Sequence, residues 1–354
     1  MKRLSTLGLS LFLATGIYAQ NFGEVVNTVA ERLTFSGYAQ AGYKYTNRYE
    51  KENSFELTRI SLCLNAQITH NISATIDIDP KNGKANDFYA NYAMLPYLKV
   101  KFGQFKNPYS FENQLSASVI NLINGGSQAV RYLTSSDGSD ILNSSNGGRD
   151  IGLMIYGDFL YGVFNYGLAI MNGQGYNVTD RNNHKDFIGS LNMNLGDNLT
   201  LGGSFILGKG NAVKANPALG VEEDDNYTRN RWAAGIKYKS DLFSLTSEYL
   251  AGKDNKYKSR GCYVTSAFHI TSKLDAILSY DYFNTRDFTA EYSGEAKPEN
   301  TFDDTLRGEI QNNYIAGLQY WFYPKCRVQV QYLYNQCHVE KNGSALMAQL
   351  QIGF

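Results

Sequence analysis

The sequence lacks a long apolar run after its first residues. Past Ala19 no stretch approaches the roughly 18 consecutive apolar residues that mark a transmembrane helix, so the chain offers no helical membrane span. Proline is scarce at 6 residues and tryptophan at 2, whereas tyrosine and phenylalanine number 27 and 19. Because aromatic residues favour strands and helical patterns are few, the composition predicts a β-rich protein.

The sequence also lacks an excess of either charge, with 33 basic and 33 acidic residues. A nucleic-acid partner is therefore not expected, since nucleic-acid binding needs a basic face. Histidine is also scarce, and the four histidines are scattered over different predicted strands and rims, which favours neither a metal site nor a Ser/His catalytic arrangement. No cofactor, metal or catalytic residue is predicted. The histidines are His70, His184, His269 and His338.

Four cysteines are few enough to consider one by one. Cys326 and Cys337 fall on one predicted strand, about 36 Å apart at the rise of a strand, whereas a disulfide needs Cα atoms within about 7 Å. Cys262 is predicted to lie three strands from Cys337, and Cys63 lies in the middle of a strand. All four are predicted to be free thiols.

The first residues have the pattern of a secretory signal peptide. Lys2 and Arg3 precede a mostly apolar stretch, Leu4–Ala14, and a small residue follows at Ala19. This order is typical of a cleaved signal, and the stretch is shorter than the roughly 20 residues of a membrane anchor. The expected mature chain begins near Gln20 and leaves the cytoplasm.

Three regions follow from this reasoning. Residues 1–19 form the signal peptide, 20–32 a periplasmic lead-in, and 33–354 a single β-domain. The lead-in is either a short amphipathic turn or a flexible segment, and the sequence favours neither.

Apolar and polar residues alternate with period 2 almost everywhere after residue 32. The last strand, Leu346–Phe354, places apolar residues at every second position. Such alternation fits either a soluble sandwich or a membrane barrel, because both have one apolar face.

The lengths of the connections decide between these folds. We predict sixteen strands, and every second connection is tight, as at 69–71, 158–160 and 195–197. Several of the others are long and polar. Short turns on one rim and long loops on the other are typical of an up-and-down membrane barrel. The fold class is therefore an all-β, transmembrane, up-and-down antiparallel β-barrel of about 16 strands. The long connections are 106–149, 172–185, 208–228 and 284–312.

Several segments together carry a family resemblance. Their order and spacing, over about residues 33–354, resemble the phosphate-selective porin O and P family. The resemblance implies a trimeric barrel whose third long loop, residues 106–149, folds inward as a constriction loop. The segments are Phe55–Leu62, Lys101–Glu112, Arg149–Gly152, Met171–Gly175 and Glu248–Gly252.

The candidate pore-lining residues carry both signs of charge. A pore for anions needs arginine or lysine at its constriction, yet residues 106–148 hold only Lys106 and Arg131 as bases, against Glu112, Asp137 and Asp140. At most a mild anion or phosphate preference is expected. The pore-lining and constriction candidates are Arg59, Lys99, Lys101, Lys106, Glu112, Arg131, Asp150, Arg231 and Lys237. Further acidic residues predicted to face the lumen are Asp77, Asp79, Asp87, Asp186, Glu248 and Asp275.

The resemblance implies an outer-membrane porin for passive diffusion of small hydrophilic solutes or ions. The alternative is a substrate-specific channel or a surface-binding barrel that uses its long outer loops. Expected partners are the lipid bilayer, lipopolysaccharide, two further copies in a homotrimer, and the barrel-assembly machinery, for which the terminal aromatic Phe354 is the expected assembly signal. Residues Glu222–Asp225 either bind a divalent cation together with lipopolysaccharide or form a solvated loop tip.

Overall fold

The computed structural model describes residues 32–48, 52–134, 147–213, 215, 221–285, 310–338 and 341–354. These residues form one closed barrel of sixteen antiparallel strands. The barrel predicted from the alternation and the connection lengths is confirmed. The signal peptide, almost all of the lead-in, and residues 135–146 of the constriction loop lie outside the described residues.

The strand bounds agree with the predicted strands in number and order. The strands are β1 Leu33–Thr46, β2 Glu52–Gln67, β3 Ile72–Asp79, β4 Lys84–Leu95, β5 Leu98–Lys106, β6 Arg149–Phe159, β7 Phe164–Met171, β8 Asp186–Leu195, β9 Leu199–Asn211, β10 Asn226–Lys239, β11 Phe243–Asp254, β12 Tyr257–His269, β13 Leu274–Asn284, β14 Ile310–Tyr323, β15 Cys326–Cys337 and β16 Gly343–Gly353. One short helix, α1, spans Gln128–Leu133.

The first and last strands close the barrel. β1 pairs with β16 over a register that runs from Tyr38 opposite Gly353 to Thr46 opposite Ala345. Every strand is thus paired on both sides, and no edge is left with open backbone groups. Closure of this kind removes the edge strands that a sandwich would keep.

The two faces of the sheet have opposite polarity. In β15 the outward residues Val328, Val330 and Tyr332 are 40–50% exposed, while the inward residues Gln329 and Gln331 are fully buried. A soluble protein buries its apolar residues and exposes its polar ones. This barrel has the reverse arrangement, which suits lipid outside and a polar interior. Among the described residues no helix is long and apolar enough to span a membrane.

Several details differ from the sequence-based expectations. The turn predicted at 158–160 is wrong, because β6 continues to Phe159 and the turn occupies 160–163. Leu160 and Tyr161 adopt positive φ there, a conformation that sequence patterns rarely indicate for such residues. Many strands also extend further toward the long-loop rim than predicted; β10, for example, begins at Asn226, within the predicted connection 208–228.

The cysteine expectation is confirmed. None of the four cysteines forms a disulfide bond, and Cys326 and Cys337 are the first and last residues of β15.

Candidate functional site

Residues 107–134, here called the inner segment, lie inside the barrel. Their first anchor is the carboxylate of Glu248, an inward residue of β11. It accepts hydrogen bonds from the hydroxyl of Ser110 at 2.6 Å and from the backbone amide of Phe111 at 2.7 Å. Tyr263 on β12 donates to the same carboxylate at 2.6 Å. The chain leaving β5 is therefore fastened to the opposite wall.

A second anchor holds the start of α1. Asp281 on β13 accepts hydrogen bonds from the hydroxyl of Ser127 at 2.8 Å and from the amide of Gln128 at 2.9 Å. At the other end of the helix, the hydroxyl of Tyr132 donates to Asp254 of β11 at 2.9 Å. These contacts fix the helix against β11–β13.

A third anchor uses inward amides and a guanidinium on β15. The side-chain amides of Gln329 and Gln331 donate to the backbone carbonyl of Asn121 at 2.9 and 2.6 Å. Arg327 donates to the carbonyl of Ile120 at 2.8 Å. Since all three anchors lie on β11–β15, the inner segment covers that half of the wall and leaves open space beside β2–β6.

Glu112 is the buried acid at the centre of the inner segment. Its carboxylate accepts a hydrogen bond from the amide of Ser127 at 2.6 Å. Gly126 has φ +113°, and a Cβ atom there would lie 2.3 Å from Glu112 Oε1, so the turn packs closely onto the carboxyl because that residue is glycine. Burial raises the pKa of Glu112 from its ordinary 4.5 to about 8, and the nearby carboxylates Glu248 and Asp281 add to the rise.

A polar cavity of about 480 Å³ lies between the inner segment and the β2–β6 wall. Its lining is charged with both signs. Arg149 pairs with Asp87 through two hydrogen bonds of 2.9 and 3.3 Å. Its basic lining residues are Arg59, Lys106, Arg131 and Arg149, and its acidic ones are Asp77, Asp79, Asp87 and Glu112.

Four of the predicted site residues meet in this cavity. They come from β2, the end of β5, the inner segment and α1, and they are Arg59, Lys106, Glu112 and Arg131. Their convergence depends on the inward path of residues 107–134. The cavity is the candidate functional site.

Two predicted residues on β5 lie elsewhere in the interior. Lys99 pairs with Asp158 at 3.3 Å near the short-turn rim. Lys101 lies over the rings of Tyr89 and Tyr156, at 4.5 and 5.3 Å from their centroids. Neither residue lines the cavity.

Three other predicted pore-lining residues are in contact with other parts of the protein and do not line the cavity. Arg231 is fully buried and pairs with Asp254 at 2.8 Å. Lys237 lies 4.2 Å from the ring centroid of Phe111 in the inner segment. Asp150 is buried and accepts a hydrogen bond from the amide of Gly173 at 2.5 Å. These charges hold the inner segment or the outer loops in place.

Arg149 is the cavity residue that the sequence reasoning did not select. It lies in the Arg149–Gly152 segment that supports the family resemblance, and it begins β6 opposite Lys106. Its partner Asp87 is 62 residues away, so no local pattern indicates the pair. Tyr38 and Tyr176 also line the cavity. In the part of the chain that the structure describes, no group of three or more His, Cys, Asp or Glu side chains is arranged to hold a metal ion.

Solved outer-membrane proteins have a similar fold. OprB of Pseudomonas putida aligns with a TM-score of 0.68 and 10% identity, over 94% of this chain and 96% of its own. OmpT, an outer membrane protein of Vibrio cholerae, aligns with a TM-score of 0.63 and 13% identity, over 91% and 97%; another structure of OmpT is of its trimer form. The anion-selective porin from Comamonas acidovorans aligns with a TM-score of 0.59 and 12% identity, over 91% and 99%.

Similarity at such low identity establishes the fold. No protein-family model matches the chain, and the comparison with curated proteins found no match. The finer resemblance to the phosphate-selective porin O and P family therefore stays a prediction.

Proposed function

We propose that the chain is an outer-membrane porin through which small hydrophilic solutes and ions diffuse passively. The observation that carries this proposal is the polar, charged cavity beside the inner segment, inside a barrel with an apolar outer face. Apolar residues outside suit lipid, and fixed charges inside keep a passage hydrated. The inner segment then sets the width of the passage.

Liposome swelling tests this function with neutral solutes of graded size. Proteoliposomes are placed in isotonic arabinose, glucose, sucrose or stachyose, and heat-denatured protein serves as the control. Swelling should be fast with arabinose and fall steeply with size, because the inner segment narrows the barrel. Folded protein that gives no swelling even in arabinose would contradict the proposal.

Passive transport fits the described interior better than catalysis does. His269 and Asp275 are hydrogen-bonded at 2.7 Å, which is the geometry of a base with its orienting acid. The other oxygen of Asp275 accepts a hydrogen bond from the amide of Gln319 at 2.8 Å. Among the described residues no serine, threonine or cysteine side chain forms a hydrogen bond with His269, so the pair has no nucleophile and supports a structural role in the wall.

The export and assembly of the barrel are part of the same proposal. Residues 1–19 are removed on export, so N-terminal sequencing of the folded protein should begin at or near Gln20; an intact Met1 would contradict this. The barrel-assembly machinery inserts the chain into a membrane with lipopolysaccharide. A homotrimer is supported by the trimer form of OmpT, and chemical cross-linking of the purified protein in detergent tests it.

A further inference from the structure

Two carboxylates in the cavity have no cationic partner among the described residues. Asp77 accepts hydrogen bonds from the hydroxyl of Ser61 and from the side-chain amide of Asn86, both at 2.9 Å. Asp79 accepts bonds from the backbone amide of Lys81 at 3.0 Å and from the side-chain amide of Asn82 at 2.6 Å. All of these donors are neutral groups, so neither carboxylate forms a direct ion pair with a described residue.

Two basic residues in the same cavity likewise form no direct ion pair with a described carboxylate. Lys106 donates to backbone carbonyls of the inner segment, including that of Asn113 at 2.8 Å. Arg59 makes no ion pair within 4.0 Å of a carboxylate in the described chain. Its guanidinium lies beside Gly125, where a Cβ atom would come within 2.8 Å of it. The pair of Arg149 with Asp87 shows the alternative arrangement, in which the two charges cancel directly.

Partly buried charges without counter-charges are costly, and a ligand that supplies the missing charges is stabilised. A simple anion would be attracted by Arg59 and repelled by Asp77 and Asp79. A simple cation would be attracted by Asp77 and Asp79 and repelled by Arg59. A solute that carries a carboxylate and an ammonium group compensates both sets of charges together.

We propose that this cavity is a binding site for small zwitterionic solutes of the amino-acid or dipeptide class. Their carboxylate faces Arg59, and their ammonium group faces Asp77 and Asp79. The volume of about 480 Å³ falls within the roughly 300–1,000 Å³ of ligand pockets. The inference rests on the proposed channel function and names the solute class that the channel retains longest.

Block of the open-channel current tests the inference at pH 7 in planar bilayers. Glycylglycine is the zwitterionic probe, N-acetylglycinamide the neutral one, acetate the anion and glycinamide the cation. Glycylglycine should block with a saturating concentration dependence, because it alone carries both charges. Its half-block concentration should be about tenfold or more below that of the others, a difference of about 1.4 kcal/mol.

Charge-removing variants locate the effect. Arg59→Gln and Asp77→Asn should each remove most of the glycylglycine block. The matched controls are Lys239→Gln and Asp197→Asn, which make the same charge changes at exposed positions on the short-turn rim. Glycylglycine should block these control channels as strongly as it blocks the unmodified protein. Heat-modifiable migration in gels verifies that each variant is folded.

The outcomes separate this inference from the channel function. Equal block by N-acetylglycinamide, or undiminished glycylglycine block in both cavity variants, would overturn the zwitterion site and leave the channel standing. Folded protein that never conducts ions would overturn the channel function, and this inference with it.

Discussion

Single carboxylates hold the inner segment, and burial disfavours the charged form of one acid within it, Glu112. It is buried at 7% exposure, and its pKa is raised to about 8. A carboxyl whose pKa rises on packing contributes stability that is fully present below its ordinary value of 4.5. That stability is lost as the pH rises toward about 8, because the packed state holds the proton more tightly.

The inner segment should therefore loosen between pH 5 and pH 9. Open-channel current noise should rise several-fold over this range in the unmodified protein, whereas Glu112→Gln should keep the noise low and flat because its side chain cannot ionise. Glu222→Gln, an exposed acid in an outer loop, is the control and should behave like the unmodified protein. A Glu112→Gln channel with the same pH-dependent noise would refute this assignment.

At the scale of residues, the sequence predicted which charges face inward but not which remain open. Alternation along each strand placed Arg59, Arg231 and Lys237 inside the barrel. The inner segment then covers Arg231 and Lys237 and leaves Arg59 in the cavity. That difference depends on hydrogen bonds between residues more than 100 positions apart, which no periodicity reports.

At the scale of elements, all sixteen strands were predictable because each has one lipid-facing and one interior face. Helix α1 was not predicted. It has only six residues and is fixed by Asp281 and Asp254 rather than by an amphipathic pattern of its own. The lengths of the strands at the long-loop rim were also underestimated, because polar residues there continue the strand pairing without an alternation of apolar and polar residues.

The closing strand gives a prediction at this scale. Phe354 exchanges two backbone hydrogen bonds with Gly37, of 3.0 and 3.2 Å, and its ring centroid lies 5.5 Å from that of Phe35. Deleting Phe354 should lower the yield of heat-modifiable folded barrel several-fold, because unpaired backbone groups in lipid cost several kcal/mol each. The channels that do form should conduct normally, since the side chain of Phe354 lies on the outer face of the barrel wall.

The conservative variant Phe354→Tyr serves as the control for this deletion. It keeps the ring and the backbone bonds, so its folded yield should be close to that of the unmodified protein. An undiminished yield after deletion, or an altered conductance, would count against the closing role of this residue.

At the scale of the whole molecule, fixed charges of both signs line the passage. Reversal potentials measured across a tenfold KCl gradient should accordingly be small, with a permeability ratio of anions to cations within roughly a factor of five of unity. The sequence predicts this from the mixed charges at 106–148 and from lumen acids that include Asp77 and Asp79, and both of these acids line the cavity. Near-exclusive anion passage, or tight block by phosphate, would instead support the selectivity that the family resemblance implies.

The central claim is that this barrel is a water-filled channel narrowed by the inner segment. Single-channel conductance in planar bilayers tests it most directly, with the unmodified protein compared with a variant that lacks residues 112–140. The unmodified protein should conduct in proportion to the KCl concentration, and the variant should conduct several-fold better, because the deletion removes most of the material that fills the barrel. Folded unmodified protein without conductance, or equal conductance in a deletion variant whose barrel is intact, would contradict the account.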